Sequence, residues 1–212
     1  MVNDSQLRNA IGKALEDKGT RNFTQTVDLV INFKGIDFSK PENRLNLEIP
    51  LPKGRGRAVK VAVFADGLAA SEAKKAGADL VISPDRIDEL SKDKNGLKRL
   101  ADGHMFLSEP KLMVQIGKGL GQVLGVRGKM PKPLPPKGIE SIIDRMRRSI
   151  TLRSKGRYMP VVHAPIGSES MSADDLFENA RYVLETVKGK VGDAGIKNAY
   201  IKLTMGRPVK VN

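Results

Sequence analysis

Apolar positions at the start of this chain recur every three or four residues. Leu7, Ala10, Ile11, Ala14 and Leu15 fall on one helical face, behind the capping candidates Asn3, Asp4 and Ser5, and Gly19 ends the run. The period then drops to two. Val27, Leu29, Ile31 and Phe33 alternate with Asp28, Val30 and Asn32, and Leu45, Leu47 and Ile49 alternate with Arg44, Asn46 and Glu48. This predicts two strands covered mainly on one side, with the Ser39-Lys40-Pro41-Glu42-Asn43 stretch turning the chain between them.

From residue 58 the pattern changes to short, continuously apolar strands separated by helical segments, as in a parallel sheet with helices on both faces. The spacing predicts strands over 59–65, 79–83 and 105–107, and helices over 68–76, 86–101 and 111–120. Residues 125–136 are too rich in Gly and Pro for a regular element and read as a surface loop.

The last block resembles the first. Residues 158–164 read as a strand, 172–187 as a helix opened by a Ser172 and Asp175 capping pair, and 198–203 as a final alternating strand. Phe177, Ala180, Leu184 and Val187 supply the helix's apolar stripe. The economical topology is α/β: a discontinuous α+β domain I from residues 1–58 and 155–212, with a Rossmann-like parallel α/β domain II, residues 59–154, inserted into it. The two connections then cross near Val59 and Arg153.

Composition narrows the chemistry. Among 212 residues there is no cysteine and there are two histidines, which excludes a disulfide scaffold, thiol catalysis and thiolate metal sites and disfavours a histidine-rich metal centre. No apolar run approaches the roughly 20 residues that span a bilayer, and residues 1–20 lack a signal-peptide core, so a cytoplasmic protein without membrane partner or cofactor is expected. The net charge of +13 points to a polyanionic partner, and its placement is uneven. Residues 51–60 hold four basic and no acidic side chains, residues 118–157 hold eleven against two, and the remainder is balanced.

Enzyme readings find little support. Gly117-Lys118-Gly119-Leu120-Gly121 has neither Walker spacing nor the position of a dinucleotide fingerprint, and reads as close packing or a helix end. Asp66-Gly67 lies at a strand's carboxyl end but reads equally as a strand-to-helix turn, and Asp85, Asp88 and Glu89 suit a helix start. His163 has no nucleophile elbow nearby and reads as structural. For nucleic acid, aromatics at 4% are thin for a base-stacking single-strand binder, and structured RNA read by shape, phosphate and 2′-hydroxyl fits better. The Asp144-Arg145-Met146-Arg147-Arg148 run reads as the solvated face of a helix rather than a recognition helix.

Gly125-Val126-Arg127-Gly128-Lys129-Met130-Pro131-Lys132-Pro133 resembles the Gly-x-Arg-Gly-x-Met-Pro-x-Pro signature of the ribosomal protein L-one family, found on the mobile stalk beside the ribosomal E site. Phe23-Thr24-Gln25-Thr26-Val27, Leu51-Pro52-Lys53-Gly54-Arg55-Gly56-Arg57 and Thr204-Met205-Gly206 match the family's other recurring motifs in order, so the resemblance covers essentially the whole chain. The short form is similar to archaeal members. Many members place Pro directly after the last Gly, whereas here Arg207 stands before Pro208.

The resemblance implies a non-enzymatic ribosomal protein, monomeric outside the ribosome. Domain I would bind structured stalk RNA of the large subunit, and domain II would lie near the E-site transfer RNA with the signature loop Arg127, Gly128, Lys129, Met130 and Pro131. Members also repress translation by binding a leader site on their own messenger. Matching positions make Phe23, Thr26, Asp28, Thr204, Met205 and Gly206 the RNA-contact candidates, with Lys53, Arg55 and Arg57 as phosphate partners. Physically, Gly206 would allow close backbone approach, Thr204 would bond a 2′-hydroxyl, and Met205 would adapt to an irregular base surface, unless Met205 and Phe23 fill the core. The competing classes are a Rossmann-like small-molecule enzyme and a general RNA or DNA architectural protein.

Overall fold

The computed structural model describes residues 3–135, 138–154 and 159–211. Pro136, at the end of the expected loop, and Tyr158, at the start of an expected strand, lie outside the described residues. In chain order the elements are α1 (Asp4–Glu16), β1 (Thr26–Phe33), β2 (Asn46–Pro50), β3 (Lys60–Phe64), α2 (Gly67–Lys75), β4 (Leu80–Ile82), α3 (Pro84–Lys92) and α4 (Lys94–Gly103). There follow β5 (His104–Ser108), α5 (Met113–Gly119), α6 (Gly121–Val126), β6 (Lys132–Pro133), α7 (Ile139–Arg148) and β7 (Ser149–Arg153). The chain ends with β8 (Val161–Ser168), α8 (Ala173–Val191), β9 (Ile196–Leu203) and β10 (Val209–Lys210).

The chain divides into two compact units, residues 1–57 with 148–212, and residues 58–147. The first holds an antiparallel sheet of order β10-β9-β1-β8 and a separate β2–β7 ribbon. The alternation of β1 sorts its side chains. Val27, Leu29, Ile31 and Phe33 are buried in a core shared with Leu7 and Ile11 of α1 and Leu176, Val183 and Val187 of α8. Thr26, Asp28, Val30 and Asn32 sit half-exposed on the other, helix-free face. Both helices start on side-chain caps: Asn3 and Gln6 form a capping box on α1, and the Ser172 hydroxyl accepts the Asp175 N–H on α8. Arg8 of α1 joins the two, lying 4.0 Å over the Phe177 ring and ion-paired to Asp174.

The second unit is a parallel sheet of order β4-β3-β5-β6. After the exposed Lys60, strand β3 is apolar because both its faces are covered. Ala62 and Phe64 enter one core with Ile82, Phe106 and Leu124, while Val61, Val63 and Ala65 enter another with Leu107, Ile143 and Met146.

Several expectations are corrected. The helix over 86–101 is two helices, because the Asp93 side chain accepts the Gly96 N–H and caps a new start. The helix over 111–120 opens as a 3₁₀ turn, Pro110–Leu112, continues as α5, and is followed directly by α6. The expected loop over 125–136 contains the end of α6 and the edge strand β6, which pairs Lys132 with Leu107 and Pro133 with Ser108. Two strands, β7 and β10, have no counterpart in the sequence pattern. Because β7 pairs residue by residue with β2, from Asn46–Arg153 to Pro50–Ser149, the second connection lies at 147/148 rather than at the 154/155 boundary read from sequence.

Candidate nucleic-acid interface

The matched motifs Phe23 to Val27 and Thr204 to Gly206 are far apart in sequence, yet β1–β9 pairing brings them together, with Val27 opposite Leu203 and Asp28 opposite Lys202. The junction is closed by side chains. The Thr204 hydroxyl accepts the Thr26 N–H at 3.1 Å and lies 3.4 Å from the Thr26 carbonyl, which also receives the Thr204 N–H at 3.1 Å. That hydroxyl, read from sequence as a 2′-hydroxyl partner, is thus mainly occupied in extending the ladder past the last regular strand pair. Beyond it the chain turns sharply, the Gly206 N–H returning to the Leu203 carbonyl at 3.1 Å. A Cβ on Gly206 would lie 3.0 Å from the Leu203 Cβ and 3.4 Å from its nitrogen, so a larger residue would crowd the turn by a few tenths of an ångström.

This turn lifts Met205 out of the core. Met205 is 61% exposed and Phe23 50%, so neither fills the interior. The residue missed by sequence reading is Gln25, 1% exposed, whose Oε1 accepts the Met205 N–H at 3.0 Å. Its Nε2 donates to the Lys18 carbonyl at 2.8 Å and to Glu169 Oε2 at 3.0 Å. A polar residue between two threonines carries no burial signal in sequence. Arg207 has its own anchor: its N–H donates to Asp17 Oδ2 at 3.0 Å, a bond that proline at this position would lack.

The helix-free face continues from here across the sheet. Asp28 stands opposite Lys202 on one side and Pro165 on the other, and Val30 lies between Tyr200 and His163. Farther along, Asn32 donates to Asn198 at 2.7 Å. Burial raises the Asp28 carboxyl above its ordinary pKa, partly opposed by His163 and Lys202. The face therefore offers a carboxylate, a lysine, an imidazole, amides and a phenol together, groups able to read bases and ribose as well as phosphate.

The basic motif Lys53 to Arg57 is less uniform than its sequence. Lys53 lies 3.4 Å from Glu178 and 3.8 Å from Asp175, and its N–H donates to the buried Asn179 at 3.0 Å. Asn179 also donates to the carbonyls of Gly54 and Ile166, clamping this segment to α8 and β8. Arg55 is half-buried, donates at 3.5 Å to the Ser149 carbonyl, and has its pKa lowered by burial and by Arg57. Arg57 is exposed and is the best placed of the three for an external phosphate.

In the second unit, much of the signature loop builds the fold. Gly128, at φ +65°, ends α6: its N–H bonds the Gly125 carbonyl at 3.0 Å and the Lys129 N–H the Leu124 carbonyl at 2.9 Å, a Schellman motif. Arg127 pairs with Asp102, Lys129 Nζ donates to the His104 carbonyl at 3.2 Å, and Pro131 is buried. Val126 and Met130 remain exposed, at 90% and 42%. Arg147, expected on a solvated helix face, instead bonds the Gly77 carbonyl at 2.7 Å and Asp79 at 3.0 Å. At the carboxyl end of β3, Asp66 caps α2 through the Gly67 N–H at 2.8 Å. No helix of the described residues is long and apolar enough to cross a membrane.

Comparison with known proteins agrees with the sequence resemblance. Residues 13–207 match the family described as Ribosomal protein L1p/L10e family. The chain is 46% identical to the large ribosomal subunit protein uL1 of Methanocella arvoryzae, over 95% of this chain and 96% of the relative. It is 42% identical to that of Archaeoglobus fulgidus, over 100% and 99%, and 43% identical to that of Methanothermobacter thermautotrophicus, over 97% and 98%. With its two-unit α/β fold and near-complete coverage of these archaeal relatives, the chain belongs to the ribosomal protein L1p/L10e family, whose members are structural ribosomal proteins and not enzymes.

Proposed function

We propose that this protein is a structural component of the large ribosomal subunit that binds ribosomal RNA of the mobile stalk through the first unit. The observation that carries this reading is the junction of β1 and β9. Two family motifs 178 residues apart are locked by the Thr26 and Thr204 bonds, and the adjoining Phe23 and Met205 are exposed. An exposed aromatic and an exposed thioether beside fixed polar backbone form a surface suited to irregular RNA, in addition to a salt-sensitive contribution from Arg57 and neighbouring cations. Asp28, Lys202 and Asn198 extend that surface.

The family resemblance supports two finer roles. The second unit, through the exposed part of its signature loop, contacts the E-site transfer RNA and aids its release. The first unit also binds a leader on its own messenger that mimics the ribosomal site, repressing translation, and the protein is a monomer when off the ribosome. Co-sedimentation with large subunits in high salt tests the principal reading. Retention supports it, whereas a protein that stays in the supernatant or washes off behaves as an enzyme or a general binder.

A further inference from the structure

We infer that the buried Gln25 is the positioning residue of the RNA-binding surface, acting through a clasp with the half-exposed Glu169 rather than by touching RNA; this rests on the RNA-binding reading of the first unit. The residues that would meet RNA sit on two connections: Phe23 before β1, and Met205 between β9 and β10. Connections of this kind are ordinarily mobile, and a mobile contact must be ordered when the ligand binds. Here a third connection, between β8 and α8, supplies Glu169, and all three meet at one carboxamide.

Every polar group of Gln25 is used. Its N–H donates to Glu169 Oε1 at 3.0 Å and its carbonyl accepts the Glu169 N–H at 3.0 Å. Its Nε2 is shared between Glu169 Oε2 and the Lys18 carbonyl, and its Oε1 takes the Met205 N–H. The side chain is 1% exposed, so it has no surface to offer a ligand. What it does offer is direction. A carboxamide is the one neutral group of this size that donates to a carboxylate and a carbonyl while accepting from an amide. Glutamate in its place would set two carboxylates against each other, and leucine would leave the Glu169 carboxylate, the Lys18 carbonyl and the Met205 N–H without this partner. The bond to Met205 fixes the backbone whose side chain is 61% exposed, so the clasp determines where the thioether points.

The test uses the full chain and two RNAs, the cognate stalk region and a scrambled duplex of equal length, with wild type, Gln25→Leu, Gln25→Glu, and Gln25→Glu combined with Glu169→Gln. In the double variant the amide introduced at position 169 would donate to the carboxylate introduced at position 25. That carboxylate still accepts the Met205 N–H but cannot donate to the Lys18 carbonyl, so the contacts to position 169 and to Met205 are rebuilt and the one to Lys18 is not. Expected are a roughly tenfold loss of stalk-RNA affinity in each single variant, unchanged affinity for the scrambled duplex, an unchanged salt slope, and partial recovery in the double variant, which lacks only the Lys18 contact. A general loss of stability would lower both affinities together and would contradict the inference. Hydrogen exchange on the free wild-type protein gives a reading that needs no folded variant: the Met205 amide is expected to be protected, and exchange at an open-chain rate overturns the clasp. A wild type that does not distinguish the two RNAs removes the RNA reading and this inference with it. One that does, matched by a folded Gln25→Leu, removes the inference alone.

Discussion

Thr204 and Thr26 hold each other through both backbone and side chain: the Thr204 N–H and the Thr26 N–H each make a 3.1 Å bond, one to the Thr26 carbonyl and one to the Thr204 hydroxyl. The hydroxyl stands in for the next backbone carbonyl of the ladder, which the turn at Gly206 has carried away. Replacing it removes an acceptor from a strand-end amide. Thr204→Ala is expected to destabilise the protein by roughly 0.5–1.5 kcal/mol and to weaken stalk-RNA binding, whereas Thr204→Ser retains the hydroxyl and most of both. Thermal melts and titrations of the same two variants check this, and equal behaviour of Ala and Ser would contradict it.

Met205→Asp separates contact from stability. Because Met205 is 61% exposed, the substitution is expected to change stability by no more than about 0.5 kcal/mol. Stalk-RNA affinity should nevertheless fall, since an acidic group is placed at the surface facing phosphate. A large drop in melting temperature would show that the thioether packs inside after all.

The three cations of the 53–57 segment are expected to differ. Arg57→Ala should lower the salt slope of RNA binding by about one unit, as for one lost phosphate contact. Lys53→Ala should change it less, because Lys53 already lies against Glu178 and Asp175. Binding isotherms at four or five salt concentrations distinguish the two, and a larger effect at Lys53 would contradict the assignment.

Asp28 gives a pH-dependent test. Burial raises its folded-state pKa above the unfolded value, so the folded protein holds this proton more tightly. The resulting stabilisation is fully present below the unfolded pKa and is lost as pH rises through the raised folded value. Asp28→Asn removes the cost of burying a charge and is expected to raise the melting temperature more at pH 7 than at about pH 3, where the native carboxyl is protonated. The same variant should lose stalk-RNA specificity if the carboxylate accepts a hydrogen bond from base or ribose. A melting shift independent of pH would argue against the burial effect.

Periodicity made much of the architecture legible. The period-two run of β1 gave both its buried and its half-exposed face, and the continuous apolar run of β3 signalled a strand covered on both sides. What periodicity missed was short or polar. β7 has only five residues, Ser149–Arg153, and follows directly on the basic end of α7, so its alternation merged with the helix pattern. The break between α3 and α4 had a visible signal in Asp93 and Gly96, a cap spacing hidden inside an otherwise helical pattern. The site divided in the same way. Phe23, Thr26, Met205 and Gly206 came from motif likeness, whereas Gln25, Glu169 and Asn179 act through hydrogen bonds to distant backbone, and nothing in local sequence marks such partners.

The central claim is that the first unit recognises structured ribosomal RNA by short-range contacts beyond charge. The direct measurement is the affinity of the wild-type chain for the stalk RNA and for a scrambled duplex of equal length across a range of salt. Preformed contacts at Phe23, Asp28 and the Met205 turn predict tighter stalk binding at every salt concentration, with the difference persisting when the electrostatic contribution has been screened. Two curves that coincide throughout would contradict the account.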